Sequence, residues 1–139
     1  MKEVKSNFIS HKDANVFVEE DTTGLYPEGC HHYFLTECLG WDNENSKTAF
    51  LKAGVHGLTK DQLQEIVFVS KDPKLNSVSA GVTSEQLLIL LMHRHQQMNE
   101  AFPSIQNEEF ITHLQSALDL LEQRVKDRVN RGVMGDLKK

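Results

Sequence analysis

Arg124, Lys126, Arg128 and Arg131 crowd into eight residues of "LLEQRVKDRVNRGVMG" (residues 120–135), and only Asp127 opposes them in that window. Guanidinium groups present planar, permanently charged donor forks that pair two-on-two with phosphate or carboxylate oxygens. Arg124 and Arg128, four apart, share one helix face and can act as such a fork. The charge is local. From Leu120 to Lys139 six Lys/Arg meet three Asp/Glu, whereas the other 119 residues carry nine against seventeen, giving the whole chain a formal charge of −5. That split points to a demand for positive charge at one place rather than to a generally basic surface.

Two roles suit these arginines. Basic side chains near a helix C-terminus meet the helix dipole and the last carbonyls, each contributing about 0.3–1 kcal/mol. The alternative is an anion clamp at a subunit or domain seam. On a helical wheel with Leu121 at zero, Leu114, Leu118 and Val125 fall at about +20° to +60°, and Phe110 and Ala117 at about −20° and −40°. Arg128, Arg124 and Arg131 fall at about −20°, −60° and −80°, so they extend the packing stripe instead of opposing it.

The helices that carry these groups are legible in the pattern. Thr83 caps a helix over 84–100, which closes ahead of Pro103 because a proline disfavours helical geometry in the preceding residue. Asn107, followed by Glu108 and Glu109, caps a second helix over 108–131 that ends at Gly132. Together they predict a helical hairpin in residues 81–139. Residues 1–80 are strand-rich, with candidate strands at Val16–Val18, His32–Leu39, Thr48–Lys52 and Ile66–Val69 and a short helix near 59–65 opened by the Thr59–Leu63 capping pattern. The expected fold class is α+β.

Composition narrows the function. At 139 residues and 39% hydrophobic the chain can bury one core. Its longest apolar run, Leu87–Met92, is far too short to span a membrane, and the first residues lack the apolar stretch of a secretory signal, so a cytoplasmic location is expected with no membrane partner. A pI near 5.8 argues against duplex DNA as a partner. Cys30 and Cys38 flank a candidate strand that would hold them roughly 26 Å apart, beyond disulfide reach, so free thiols are expected. The Cys30, His31, His32, Cys38 cluster, with His93 and His95, invites a metal, but alternate strand residues face opposite ways and positions 93 and 95 lie about 200° apart on a helix. No metal and no cofactor are expected. Without a phosphate-cradling glycine loop, a G-x-S-x-G elbow or H-E-x-x-H, no enzyme is expected either.

Residues 81–135 also carry a specific combination of motifs: G-V-T before the first helix, H-R-H at its centre, M-N-x-x-F-P at the bend and Asn107 beyond it. H-L-Q-x-A-L, R-x-K-D-R at Arg124–Arg128 and R-G-V-x-G at Arg131–Gly135 follow. This combination resembles the helical part of the phage Thoeris anti-defence proteins of the first type, small sponges that sequester the cyclic ADP-ribose isomers made by bacterial TIR-domain defence enzymes. The resemblance implies an N-terminal antiparallel β-sheet ahead of the two-helix hairpin, and a cytoplasmic role in the infected host. It implies ligand contacts from Asn107, Arg124 and Arg128, with Phe102 or Met98 as an apolar wall for the adenine. His93 and Arg131 are secondary candidates. Relatives assemble as larger oligomers, including hexamers with separate cyclic trinucleotide sites, so cyclic dinucleotides or trinucleotides are further candidate ligands. Asn107 and Arg124, seventeen residues apart on one helix, stand about 25 Å apart at 1.5 Å per residue, more than the width of such a ligand. Pockets shared between subunits of a homo-oligomer, a dimer or a hexamer, are therefore expected. The alternative is a structural oligomerisation module with no nucleotide ligand, its arginines paired with Glu100, Glu108 or Glu109 of a second copy.

Overall fold

A computed structural model of the chain describes residues 2–4, 16–21, 24–26, 28–36, 50, 52–54, 63–72 and 74–132. The fold is α+β, an N-terminal four-stranded antiparallel sheet followed by two C-terminal helices. Two compact units divide it, Met1–Ser70 and Lys71–Lys139.

In the first unit the strands β1 (Lys2–Glu3), β2 (Val16–Val18), β3 (His32–Thr36) and β4 (Leu63–Val67) lie in sequence order, each antiparallel to the next. Aromatic residues at alternate positions set the register. Phe17 pairs across the ladder with Phe34, and both rings meet Phe50, at centroid separations of 4.4 and 5.9 Å respectively, with Leu63 packed alongside. Phe17 is 1% exposed, so this phenylalanine cluster is the centre of the sheet's core. His32 lies on the Phe34 side of β3, its ring 4.5 Å from the Phe34 ring. Its Nδ1 meets the Glu19 carboxylate and its Nε2 lies 2.5 Å from Glu65 Oε1, so one imidazole ties the end of β2 to β4 across β3.

In the turn from β2 to β3 both Gly24 and Gly29 take positive φ. The Asp21 carboxylate accepts the Leu25 and Tyr26 amides, both at 3.0 Å, and Gly29 returns the chain with φ +89°. A Cβ at Gly29 would lie 2.1 Å from the Glu19 carbonyl oxygen, so backbone conformation and space both exclude a side chain there.

Three expectations need correction. Phe50, Lys52 and Ala53 are helical, so the strand expected at Thr48–Lys52 is not one; Thr48, Ala49 and Leu51 lie outside the described residues. The turn places Phe50 on Phe17 and Phe34, a burial that outweighs its own β preference. Leu63, Gln64 and Glu65 belong to β4 instead of a helix near 59–65, whose residues 59–62 lie outside the described residues. Pairing of Leu63 with Thr36 and Ile66 with Tyr33 satisfies the backbone along the whole strand, whereas a capping box offers only two local bonds. β4 also ends at Val67, although the Phe68 amide still donates to the His31 carbonyl at 2.7 Å. Residues 37–39, the end of the candidate strand that begins at His32, lie outside the described residues, and Cys38 with them; Cys30 is a free thiol.

A short hairpin precedes the helices, β5 (Ser70–Asp72) paired with β6 (Ser77–Ser79). Asp72 Oδ1 accepts the Lys74 and Leu75 amides and Asn76 closes the turn at φ +49°, a value asparagine tolerates better than most residues. The helices α1 (Ser84–Ala101) and α2 (Ile105–Asn130) then pack against each other. Thr83 forms a full capping box, its hydroxyl accepting the Gln86 amide at 3.2 Å and its own amide donating to Gln86 Oε1 at 2.9 Å. Among the described residues no helix is long and apolar enough to cross a membrane.

The sheet generates two predictions. Thr36 is buried and its hydroxyl has no hydrogen-bond partner among the described residues. Thr36→Val, which keeps the shape and removes the stranded hydroxyl, is expected to raise unfolding free energy by about 1 kcal/mol in urea denaturation. Burial first, and the Asp21 carboxylate second, push the Cys30 thiol above its ordinary range; burial first, and then Cys30, push the Tyr33 phenol up. Both groups hold their protons more tightly when folded. Their contribution is complete below the unfolded values, about 8.5 for a thiol and about 10 for a phenol, and is lost as pH rises through the folded ones. Denaturation curves collected from pH 7 to 11 should show stability declining from about pH 8.5 upward, with Cys30→Ala removing the earlier part of the decline.

Candidate functional site

The bend between the helices is built from polar side chains around Pro103. Phe102 caps α1, its amide donating to the Met98 carbonyl at 2.8 Å. The Ser104 amide donates to Asn99 Oδ1 at 2.9 Å, and the Ser104 hydroxyl accepts the Asn107 amide at 3.1 Å. Ser104, and not Asn107, is therefore the N-cap of α2, which begins at Ile105. Serine directly after Pro103 takes extended backbone and offers its hydroxyl one turn earlier than Asn107 could. Released from capping, the Asn107 side chain crosses to α1, where its Oδ1 lies 3.0 Å from His95 Nδ1. The His95 ring is fixed in turn by edge contact with Phe110 at 4.4 Å.

Met98, Phe102 and Asn107 are thus gathered at the elbow. Phe102 is 81% exposed and Ile105 70%, so the elbow presents an apolar knuckle beside a half-buried amide. His93 is exposed and stands about 160° around α1 from His95, away from the α1–α2 seam. It does not join the elbow. The sequence leaves His93 and His95 both open as residues of a pocket mouth, and only His95 continues the packed face, since Leu88, Met92, His95 and Asn99 recur at i, i+4, i+7 and i+11.

The basic end lies at the far end of α2. Arg124 is exposed and has no carboxylate against it among the described residues, and Arg128 is half-buried one turn on. Arg131 donates from Nη1 to Asp127 Oδ2 at 3.0 Å and caps the helix ahead of Gly132, whose φ is +67°. Lys126 pairs with Glu122 at 3.3 Å. Asn107 and Arg124 are on one continuous helix of 26 residues, which puts them about 25 Å apart. Within one chain the elbow and the arginines do not form a single pocket.

The helices leave much apolar surface uncovered. α1 has no fully buried residue and α2 buries only Leu114, while Ile89, Leu90, Leu120 and Val129 are all more than half exposed.

The cysteine and histidine pair in the sheet unit has different chemistry. Cys30 Sγ lies 3.9 Å from Nδ1 and 3.8 Å from Nε2 of His31, but burial and Asp21 favour the protonated thiol, which is a poor nucleophile and a poor metal ligand. The two ring nitrogens of His32 face separate carboxylates, so they do not converge on one ion. Among the described residues no group of three or more His, Cys, Asp or Glu is arranged to hold a metal.

No protein-family profile and no curated protein sequence matches the chain. Ser104→Ala removes the N-cap of α2 and should lower stability by about 1 kcal/mol, read as a shift in the urea midpoint of the helical circular dichroism signal.

Proposed function

We propose that the protein is a non-catalytic nucleotide sponge that sequesters a cyclic ADP-ribose isomer in pockets shared between copies, and so blocks bacterial Thoeris immunity during phage infection. The observation that carries this reading is the placement of the elbow and the arginines at opposite ends of one continuous helix. Arg124 and Arg128 offer forked donors for a pyrophosphate, and the Phe102, Met98 and Asn107 elbow offers an apolar surface for a purine and an amide for a polar edge. About 25 Å separates them in one chain. An antiparallel pairing of two hairpins brings the elbow of one copy beside the arginines of the other, and a two-fold axis repeats the arrangement, giving two pockets. The exposed leucines and valines of both helices supply apolar surface for such a pairing.

A sponge acts by mass action. It has to bind the signal more tightly than the effector does and match it in amount, and it needs no catalytic group. The motif combination across residues 81–135, which resembles that of the Thoeris anti-defence sponges, agrees with this chemistry. Cyclic dinucleotides and trinucleotides present the same phosphates and purines and belong in the same panel.

The uncovered helix faces equally favour a second reading, an oligomerisation module without a nucleotide ligand. One experiment separates the two. Purified protein is incubated with cyclic ADP-ribose, its ribose-linked isomers and cyclic di- and trinucleotides, washed, and heated. Retention of an ADP-ribose isomer, released chemically unchanged, is the expected outcome, with a melting shift equivalent to about 2.7 kcal/mol at a hundredfold excess over Kd. Arg124→Ala with Arg128→Ala should abolish retention while leaving assembly intact. An empty panel, or loss of assembly in the arginine variant with no effect of any nucleotide on melting, refutes the sponge.

A further inference from the structure

The Asn107 side chain has two functional ends, and the fold has committed one of them. Its Oδ1 lies 3.0 Å from His95 Nδ1. An amide oxygen only accepts, so a neutral His95 that bonds it carries its ring proton on Nδ1 and leaves Nε2 bare. We infer that His95 is a positioning residue that holds the Asn107 amide with its NH2 turned outward, so that this side chain offers a ligand donors and selects a hydrogen-bond acceptor, such as a phosphate oxygen, over a hydroxyl donor.

The neighbouring acceptors support this. Asn99 Oδ1 takes the Ser104 amide and Ser104 Oγ takes the Asn107 amide, so these two oxygens and Asn107 Oδ1 each accept a bond from within the hairpin. The His95 ring has little freedom to turn and reverse the polarity, because it meets the Phe110 ring in an edge contact at 4.4 Å and the residue is half-buried. Guanidinium groups are also donors without acceptor capacity. If Arg124 and Arg128 of a second copy meet the elbow, as the sponge reading on which this inference rests requires, their donors join that of the Asn107 amide. Such a lining matches the pyrophosphate bridge of a nucleotide far better than the hydroxyl edge of a sugar.

The test has two arms, one of which needs no ligand. Long-range nitrogen–proton correlation spectra of the labelled full chain, with His95 identified by the signals missing in His95→Gln, give its tautomer when the ring is neutral. The Nδ1-protonated form is expected; a dominant Nε2-protonated form overturns the inference. The second arm measures calorimetric affinity for cyclic ADP-ribose and its ribose-linked isomers. His95→Asn, whose amide nitrogen can replace Nδ1 as donor, should keep affinity close to that of the parent, and His95→Ala should lose roughly 10- to 100-fold. Asn107→Asp keeps the acceptor for His95, and its negative charge suits the first turn of a helix, so it should fold normally yet bind at least roughly 100-fold more weakly. Parent-like binding by Asn107→Asp overturns the inference. If the parent chain retains no nucleotide, the sponge reading falls, while the tautomer still decides the state of His95.

Discussion

A proline at the centre of a helical hairpin strands the polar groups of two helix ends within a few residues of each other. The last carbonyls of α1 and the first amides of α2 lose their helical partners there, and Pro103 has no amide to contribute. The chain answers with side chains. Asn99 takes the Ser104 amide, Ser104 takes the Asn107 amide, and Asn107 reaches His95 on the preceding helix. These bonds fix where α2 begins, and through that its direction against α1. Because α2 then runs uninterrupted to Asn130, the same bend determines that the arginine end stands far from the elbow. A ligand of nucleotide size can use both only if a second copy supplies one of them.

The two units differ in how they hold themselves together. The sheet unit has a compact aromatic centre in which Phe17, Phe34 and Phe50 bury one another, reinforced at its side by His32 between Glu19 and Glu65. The helical unit buries Leu114 and little else completely, and its longer helix exceeds what one short partner can cover. Hairpins of this kind gain most of their stability from packing an apolar face, not from helix propensity. On α1 the exposed apolar positions surround the helix, Ile89 standing about 180° from Met98 on a wheel. Phe110, Ala117 and Arg124 span about 40° on α2, so Arg124 continues the line of the residue that packs on His95.

Signals that act within one turn of chain were readable in the sequence, and those that depend on distant partners were not. Thr83 with Gln86 predicts a capping box and forms one, and Pro103 ends α1 where expected. Asn107 and Ser104 are both good caps three residues apart; what decides between them is that the serine hydroxyl is needed at the bend while the asparagine has a partner on the other helix. Thr59–Leu63 carries the same local pattern as Thr83–Leu87, yet Leu63 goes to the sheet because Thr36 lies opposite it, a pairing invisible to any short window. Phe50 reads as strand by composition and is helical because the phenylalanine cluster is where its ring is buried. The arginine and elbow positions were legible as separate features. Their separation followed from helix geometry alone, whereas the His95 to Asn107 bond joins residues on two helices and required the folded hairpin.

Helix-end electrostatics account for only part of the basic segment. Arg128 lies in the last turn of α2 and Arg131 caps it, positions where a cation meets the dipole, and Arg131 also pairs with Asp127. Lys126 has Glu122 one turn earlier, an exposed pair contributing about 0.3–0.5 kcal/mol. Arg124 fits neither account. It lies six residues before Asn130, roughly 9 Å from the helix end, where the dipole's influence has largely decayed. An exposed cation there, one turn from Arg128 and continuing the line of Phe110 and Ala117, stabilises little within its own chain. What it does provide is a second guanidinium one helical turn from that of Arg128, at the edge of the packed face on which Phe110 meets His95.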